Sequence, residues 1–179
     1  MAVGVVAFLL LGKGAKIKVP TPPGWEAADE ETMQGFEEGS STGAEDIAVD
    51  YLFTDGSLAN FIAVAHGDVY IMDSPEGDDL ATVEEFFLRH KDEITDELET
   101  AYRTVGASVS MHEYAVKELA CGIPALFVGL KAGASGMTIS QDFIFLFKDN
   151  TCYFAIVNRL GNQGNQEEVD FLAQNISFH

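Results

Sequence analysis

Basic residues are scarce in this sequence. Lys and Arg number 10 against 29 Asp and Glu, a formal net charge of −19. A surface this acidic repels phosphate backbones and anionic headgroups, so nucleic acid and anionic membrane surfaces are poor candidate partners. Cysteine is nearly absent. Two residues, Cys121 and Cys152, cannot build a disulfide-dense mini-protein or an all-Cys zinc site. Recognisable catalytic patterns are missing too. The four histidines, His66, His90, His112 and His179, show neither His-x-x-x-His nor His-Glu-x-x-His spacing. There is no Gly-x-Ser-x-Gly elbow and no phosphate-binding Gly-Lys-Ser/Thr loop. From this we expect no catalytic residues, no cofactor and no metal site.

What is present is the balance of an ordinary globular protein: 179 residues, 47% hydrophobic and 22% charged. A chain of that length buries roughly 70% of its unfolded surface, so its core needs no metal or disulfide framework. Few lysines among many acids also suit a protein living in high salt, where ions screen self-repulsion.

The first eleven residues, Met1–Leu11, are apolar and precede Lys13, Lys16 and Lys18. A spanning helix needs about 20 apolar residues, whereas a signal-peptide apolar region needs about 7–15. No basic residue precedes the run, and no small-x-small cleavage site follows it. Residues 1–18 therefore read as the remnant of a signal or anchor, or as a first strand or docked arm. No cysteine lies near, so an acylated N-terminal cysteine is not expected. The Val19–Gly24 stretch, with Pro20, Pro22 and Pro23, is forced into an extended path and marks the start of a single domain over 19–179.

Residues 26–50 carry nine acids and no Lys or Arg, which predicts a solvated, mobile face. Divalent-cation binding is the sharper alternative, but no Asp-x-Asp-x-Asp-Gly loop supports it. The Gly39–Gly43 segment reads as a flexible turn. Two strands, Ile47–Phe53 and Asn60–Val69, flank Asp55-Gly56, a strong hairpin signal. The second is apolar on both faces, as for a strand covered on both sides. Thr82 and Glu85 have the capping-box form. The stripe Val83, Phe87, Ile94, Leu98 and Tyr102 predicts one amphipathic helix of about twenty residues, about 30 Å long.

A meander of four strands follows, over 108–119, 125–131, 138–148 and 151–159. Short turns between them favour antiparallel pairing. Phe143, Phe145 and Phe147 fall on one face and Ile144 and Leu146 on the other, so this sheet is also covered twice. Asn165 to Glu168 then caps a last helix with Val169, Leu172 and Ile176 on one face. The prediction is an α+β fold: an α/β/α sandwich with a mostly antiparallel sheet of about six strands, one long helix and a C-terminal helix.

In the meander, Cys121 and Cys152 fall at the same sheet end, about two strand spacings or roughly 10 Å apart. A disulfide needs Cα atoms about 5.5–6 Å apart, so a Cys121–Cys152 bridge requires the Cys121 loop to fold over that end. Two free thiols are the alternative. His90 reads as a partly buried structural histidine, and His66 and His112 as residues near strand ends. The Gly133–Gly136 segment reads as a hairpin turn. Gly161–Gly164 precedes the last helix and could hold an anion.

Four features together resemble the PsbP-like family: the approach VPTPPGW over Val19–Trp25, the long helix 82–103, the antiparallel run through Gly122-Ile-Pro-Ala125, and the ending Val169–Phe178. That family includes the photosystem II extrinsic protein, a Ran-binding nuclear-import factor and exported bacterial proteins of unknown role. The resemblance implies the sandwich fold and no shared catalytic residues. The photosystem protein's basic docking surface has no counterpart in this acidic chain. The expectation is a non-catalytic binding or accessory protein, exported or anchored at the outer membrane face, with a protein or peptide partner. A cytoplasmic adaptor or chaperone-like protein of the same fold is the alternative.

Overall fold

The computed structural model describes residues 16–40, 48–57, 59–67, 74–149, 151–161 and 163–179. The Met1–Leu11 head, residues 41–43 of the expected turn, and the expected strand ends at Ile47, Asp68 and Val69 lie outside the described residues. The order is β1 (Ile17–Lys18), β2 (Glu26–Ala27), α1 (Glu30–Ser40), β3 (Ala48–Thr54), β4 (Phe61–Gly67), α2 (Leu80–Arg89), α3 (Lys91–Thr104), β5 (Ser108–Glu118), β6 (Pro124–Ala134), β7 (Met137–Lys148), β8 (Thr151–Leu160), α4 (Gln166–Asn175) and β9 (Ser177–Phe178).

Seven strands form one antiparallel sheet in the order β2-β3-β4-β8-β7-β6-β5, and β1 pairs with β9 as a separate ribbon. The sheet is one strand wider than expected because Glu26–Ala27 adds to β3. Ile17 and Lys18, placed in the head by sequence, join the folded body through β9. The hairpin turns follow their sequence signals. Gly56 takes φ 88° between β3 and β4, and Ser135 and Gly136 both take positive φ between β6 and β7.

Two apolar layers cover the sheet. On one face Val83, Phe86 and Phe87 of α2 and Ile94, Leu98 and Tyr102 of α3 pack on Leu126, Val128, Phe143, Phe145 and Phe154, with Met33 and Phe36 of α1 at the margin. On the other, Val169 and Leu172 of α4, Ile176, Trp25 and Ile17 pack on Ile62, Val64, Ile144, Leu146 and Tyr153. The α/β/α sandwich is as expected, and the alternating residues of β7 divide between the layers as read.

Three local expectations are corrected. Residues 30–40 of the acidic stretch are helix α1. Asp29 Oδ1 accepts the Thr32 N–H at 2.8 Å, and Glu30 and Glu31 favour the positive helix start. The long helix is two, of ten and fourteen residues, meeting at His90. His90 occupies the stripe position between Phe87 and Ile94, and its ring packs on Phe86 with centroids 4.8 Å apart. The cap of α2 is Asp79, not Thr82. Asp79 accepts the Thr82 N–H at 3.1 Å and the Thr82 hydroxyl at 2.6 Å, so Thr82 is the capped residue.

The outer edges of the sheet differ. β2 has two residues, while β5 has eleven and carries an irregularity in its register between Met111 and Glu113.

Candidate functional site

The histidines fall in separate places, each beside its own carboxylate or backbone partner. His66, one residue before the end of β4, has Nδ1 2.7 Å from Asp50 Oδ2, at the register shift of β3. Burial raises the Asp50 carboxyl above the usual carboxylate range, and the His66 hydrogen bond opposes that rise. His90 Nδ1 lies 3.0 Å from Glu93 Oε2 at the α2–α3 junction. His112 stands mid-strand, at the β5 irregularity and not near a strand end, with Nε2 3.9 Å from Asp142 Oδ1. His179 donates its backbone N–H to the Lys16 carbonyl at 3.2 Å.

A polar cluster ties the start of α4 to the sheet. Asp142 on β7 and His112 on β5 face each other across Gly129 of β6. A Cβ added at Gly129 would lie 2.6 Å from His112 Nε2 and 2.7 Å from Asp142 Oδ1, so glycine makes room for the pair. Asn165 has no side-chain cap bond, contrary to the expectation. Its Nδ2 instead donates toward Asp142 Oδ2 at 2.7 Å and the carbonyls of Ser140 and Val157 at 3.1 and 3.2 Å. Burial raises the Asp142 carboxyl, the Asn165 bond and His112 oppose it, and Glu113 and Glu168 add to it. Glu168, at the first turn of α4, pairs with Arg159 of β8 and accepts the Trp25 indole N–H at 3.4 Å. The Arg159 guanidinium lies 5.4 Å from the Trp25 ring centre. These groups fasten one element to another.

Both cysteines are free in this structure, the second of the two arrangements that the sequence left open. Cys121 is exposed in the β5–β6 turn, whose Ala120 N–H bonds the Ala173 carbonyl on the α4 side. Cys152 is buried in the layer beneath α2 and α3, where burial pushes its thiol up. The turn folds toward one face and the second thiol points into the other. The Gly161 approach to α4 binds internally: its N–H donates to the Thr138 carbonyl at 2.7 Å, and its carbonyl accepts the Ser140 hydroxyl at 3.3 Å. Glu167 and Glu168 occupy the first turn of the helix, where an anion would have to sit.

Clefts open at the surface among the described residues. One, of about 260 Å³, lies between Ser74–Asp78 and the β7 end at Phe147–Asp149. The larger, of about 430 Å³, lies between α1 and the β3–β4 hairpin. Its floor is Phe36, Leu52 and Phe61, with the Phe36 and Phe61 rings edge to face at 5.1 Å. Its rim is Asp29, Glu31, Thr32 and Thr54, and Gly35 opens its wall. Asp29 lies below the usual carboxylate range because the Thr32 side chain and N–H donate to it. None of the four histidines lines either cleft. Sequence reasoning misses the larger one because it does not predict α1; the only signal is Met33 and Phe36, three apart among acids.

No family model and no curated protein matches the sequence. Solved structures do. The solution structure of cyanobacterial PsbP (CyanoP) from Synechocystis sp. PCC 6803 superposes with a TM-score of 0.51 at 11% identity, covering 100% of this chain and 96% of that one. The fold is PsbP-like. LpqN, involved in cell envelope biogenesis of Mycobacterium tuberculosis, gives a TM-score of 0.41 at 14% identity over 93% of this chain and 86% of that one. The PsbP-like likeness concerns the path of the chain. The cleft at α1 is argued from this chain's own residues.

Proposed function

We propose that the protein is a non-catalytic binding or accessory module, exported or held at the outer face of a membrane, whose partner is a protein or peptide and not a nucleic acid. The observation that carries this reading is the character of its concave surface. The cleft at α1 has an aromatic and aliphatic floor and carboxylates only at the rim among the described residues, while His66 and His90 each pair with one acid elsewhere and His112 and Asp142 belong to the cluster that fastens α4 to the sheet. Catalysis needs a nucleophile, a base and a stabilising group brought to one point; an apolar floor with a charged rim suits recognition. The apolar Met1–Leu11 head ahead of an acidic body supports export or anchoring.

Fractionation of the native cells, with determination of the mature N-terminal residue, tests the reading. Recovery outside the cytoplasm, or in the membrane fraction with the folded body accessible to added protease, is expected. Recovery only from the soluble cytoplasm with Met1 intact overturns export and leaves the cytoplasmic adaptor.

A further inference from the structure

The cleft at α1 has a feature that packing does not explain. Gly35 lies inside an eleven-residue helix, where glycine is less favourable than alanine by roughly 0.5–1 kcal/mol. Its φ is not in the left-handed region, and a Cβ built there meets nothing within 4 Å. Neither backbone conformation nor a close neighbour calls for glycine. What the missing side chain provides is the open wall of the cleft, above Phe36, Leu52 and Phe61.

The charge of the rim narrows the occupant. Among the described residues the ionisable groups lining the cleft are Asp29 and Glu31, with no Lys, Arg or His, and the whole chain carries −19. Opposite charges at an apolar cleft raise the association rate and reject partners of like charge. We propose that the Gly35 cleft receives a peptide segment of a partner protein in which an apolar side chain, seated on Phe36, Leu52 and Phe61, is flanked by lysine or arginine directed at Asp29 and Glu31. This inference rests on the binding-module reading and adds the place and the partner's chemistry.

The test uses the full chain and two short fluorescent peptides, one alternating leucine with lysine and one alternating leucine with glutamate, followed by fluorescence anisotropy at physiological salt. The lysine peptide binds and the glutamate peptide does not. Gly35→Leu fills the cleft, keeps or raises the melting temperature, and weakens the lysine peptide about tenfold or more. Asp29→Asn with Glu31→Gln weakens it several-fold while keeping a residue at position 29 that still caps α1. Asp96→Asn with Glu97→Gln removes the same charge from exposed positions on α3 and leaves binding unchanged. Equal binding by the Gly35→Leu and unsubstituted proteins overturns the proposal, as does a loss of binding in the α3 variant equal to that in the rim variant, or no binding at all. Cell fractionation tests the parent reading separately, so either can fail alone.

Discussion

Beneath α2 and α3 the sheet meets a broad apolar layer, from Ala65 and Phe154 across Phe143 and Phe145 to Leu126 and Leu130, which gives way to buried Gln141 and Asn158 beyond Phe143 and Ile156. Beneath α4 the apolar layer stops at Ile144 and Val157, and the next positions along those strands are Asp142 and Arg159. The first face is specified mainly by area, with a directed contact where the Tyr114 hydroxyl of β5 donates to the Phe87 carbonyl of α2 at 2.8 Å. The second is specified by direction. Asn165 and Glu168 reach named atoms on β7 and β8 and fix where α4 begins. Burial drives both faces, at roughly 25 cal/mol per Å² of apolar surface, but the second carries more of the directed contacts that hydrophobic periodicity cannot express.

The largest effects should come from the apolar layers. Leu98→Ala on the first face and Leu172→Ala on the second each remove a fully buried side chain and are expected to cost about 2–5 kcal/mol in urea unfolding. Trp25, the only tryptophan, reports on the second face. If the sandwich unfolds as one unit, its fluorescence and the far-ultraviolet ellipticity share one midpoint in both variants. Two midpoints would mean that the faces are separate cooperative layers.

Gly129→Ala sharpens the contrast at the next level. Its methyl group meets His112 and Asp142, and the expected cost is about 1–3 kcal/mol. Adding His112→Ala removes one obstacle and should restore part of the loss. No restoration would show that Asp142 alone carries the clash.

Much of the first face is legible in the sequence. The β7 alternation and the Asp55-Gly56 turn rest on periodicity or turn chemistry and hold, and the Val83-to-Tyr102 stripe is buried as read although it runs over two helices instead of one. The hairpin and the four-strand meander follow, but the pairing of β4 with β8 that joins them does not. What escapes is short or competitive. β1, β2 and β9 have two residues each, too few for any period. Residues of α1 offer Met33 and Phe36 as apolar anchors within an acidic run. Asp79 and Thr82 are both good caps, and only the geometry decides between them. Asn165 has the sequence of a cap, yet its amide turns to the sheet. The cleft was illegible for a related reason: it depends on a helix the pattern hides and on a side chain that Gly35 lacks.

Smaller effects test these local decisions. Asp79→Ala should lower the melting temperature in thermal unfolding, whereas Glu85→Gln, which loses the exposed pair with Arg89, should lower it less. Asp142→Asn should act through pH. With the folded carboxyl raised above its unfolded value, the folded state holds the proton more tightly. Stability from this group is therefore present below the unfolded value and declines as pH rises through the folded one. The asparagine variant should be the more stable form at neutral pH, by an advantage that shrinks on acidification toward the ordinary carboxylate range. A constant difference across that range would remove Asp142 ionisation as the cause.

The irregularity at Met111–Glu113 in β5 has a consequence for self-association. Among the described residues this strand is the long outer margin of the sheet, a place where a foreign strand could zip alongside and seed fibrils. An extra residue at His112 breaks the even spacing such a zipper needs, and Glu113 and Lys117 put charge in its path. The same kink that makes way for His112 beside Gly129 thereby guards the molecule against sticking to copies of itself.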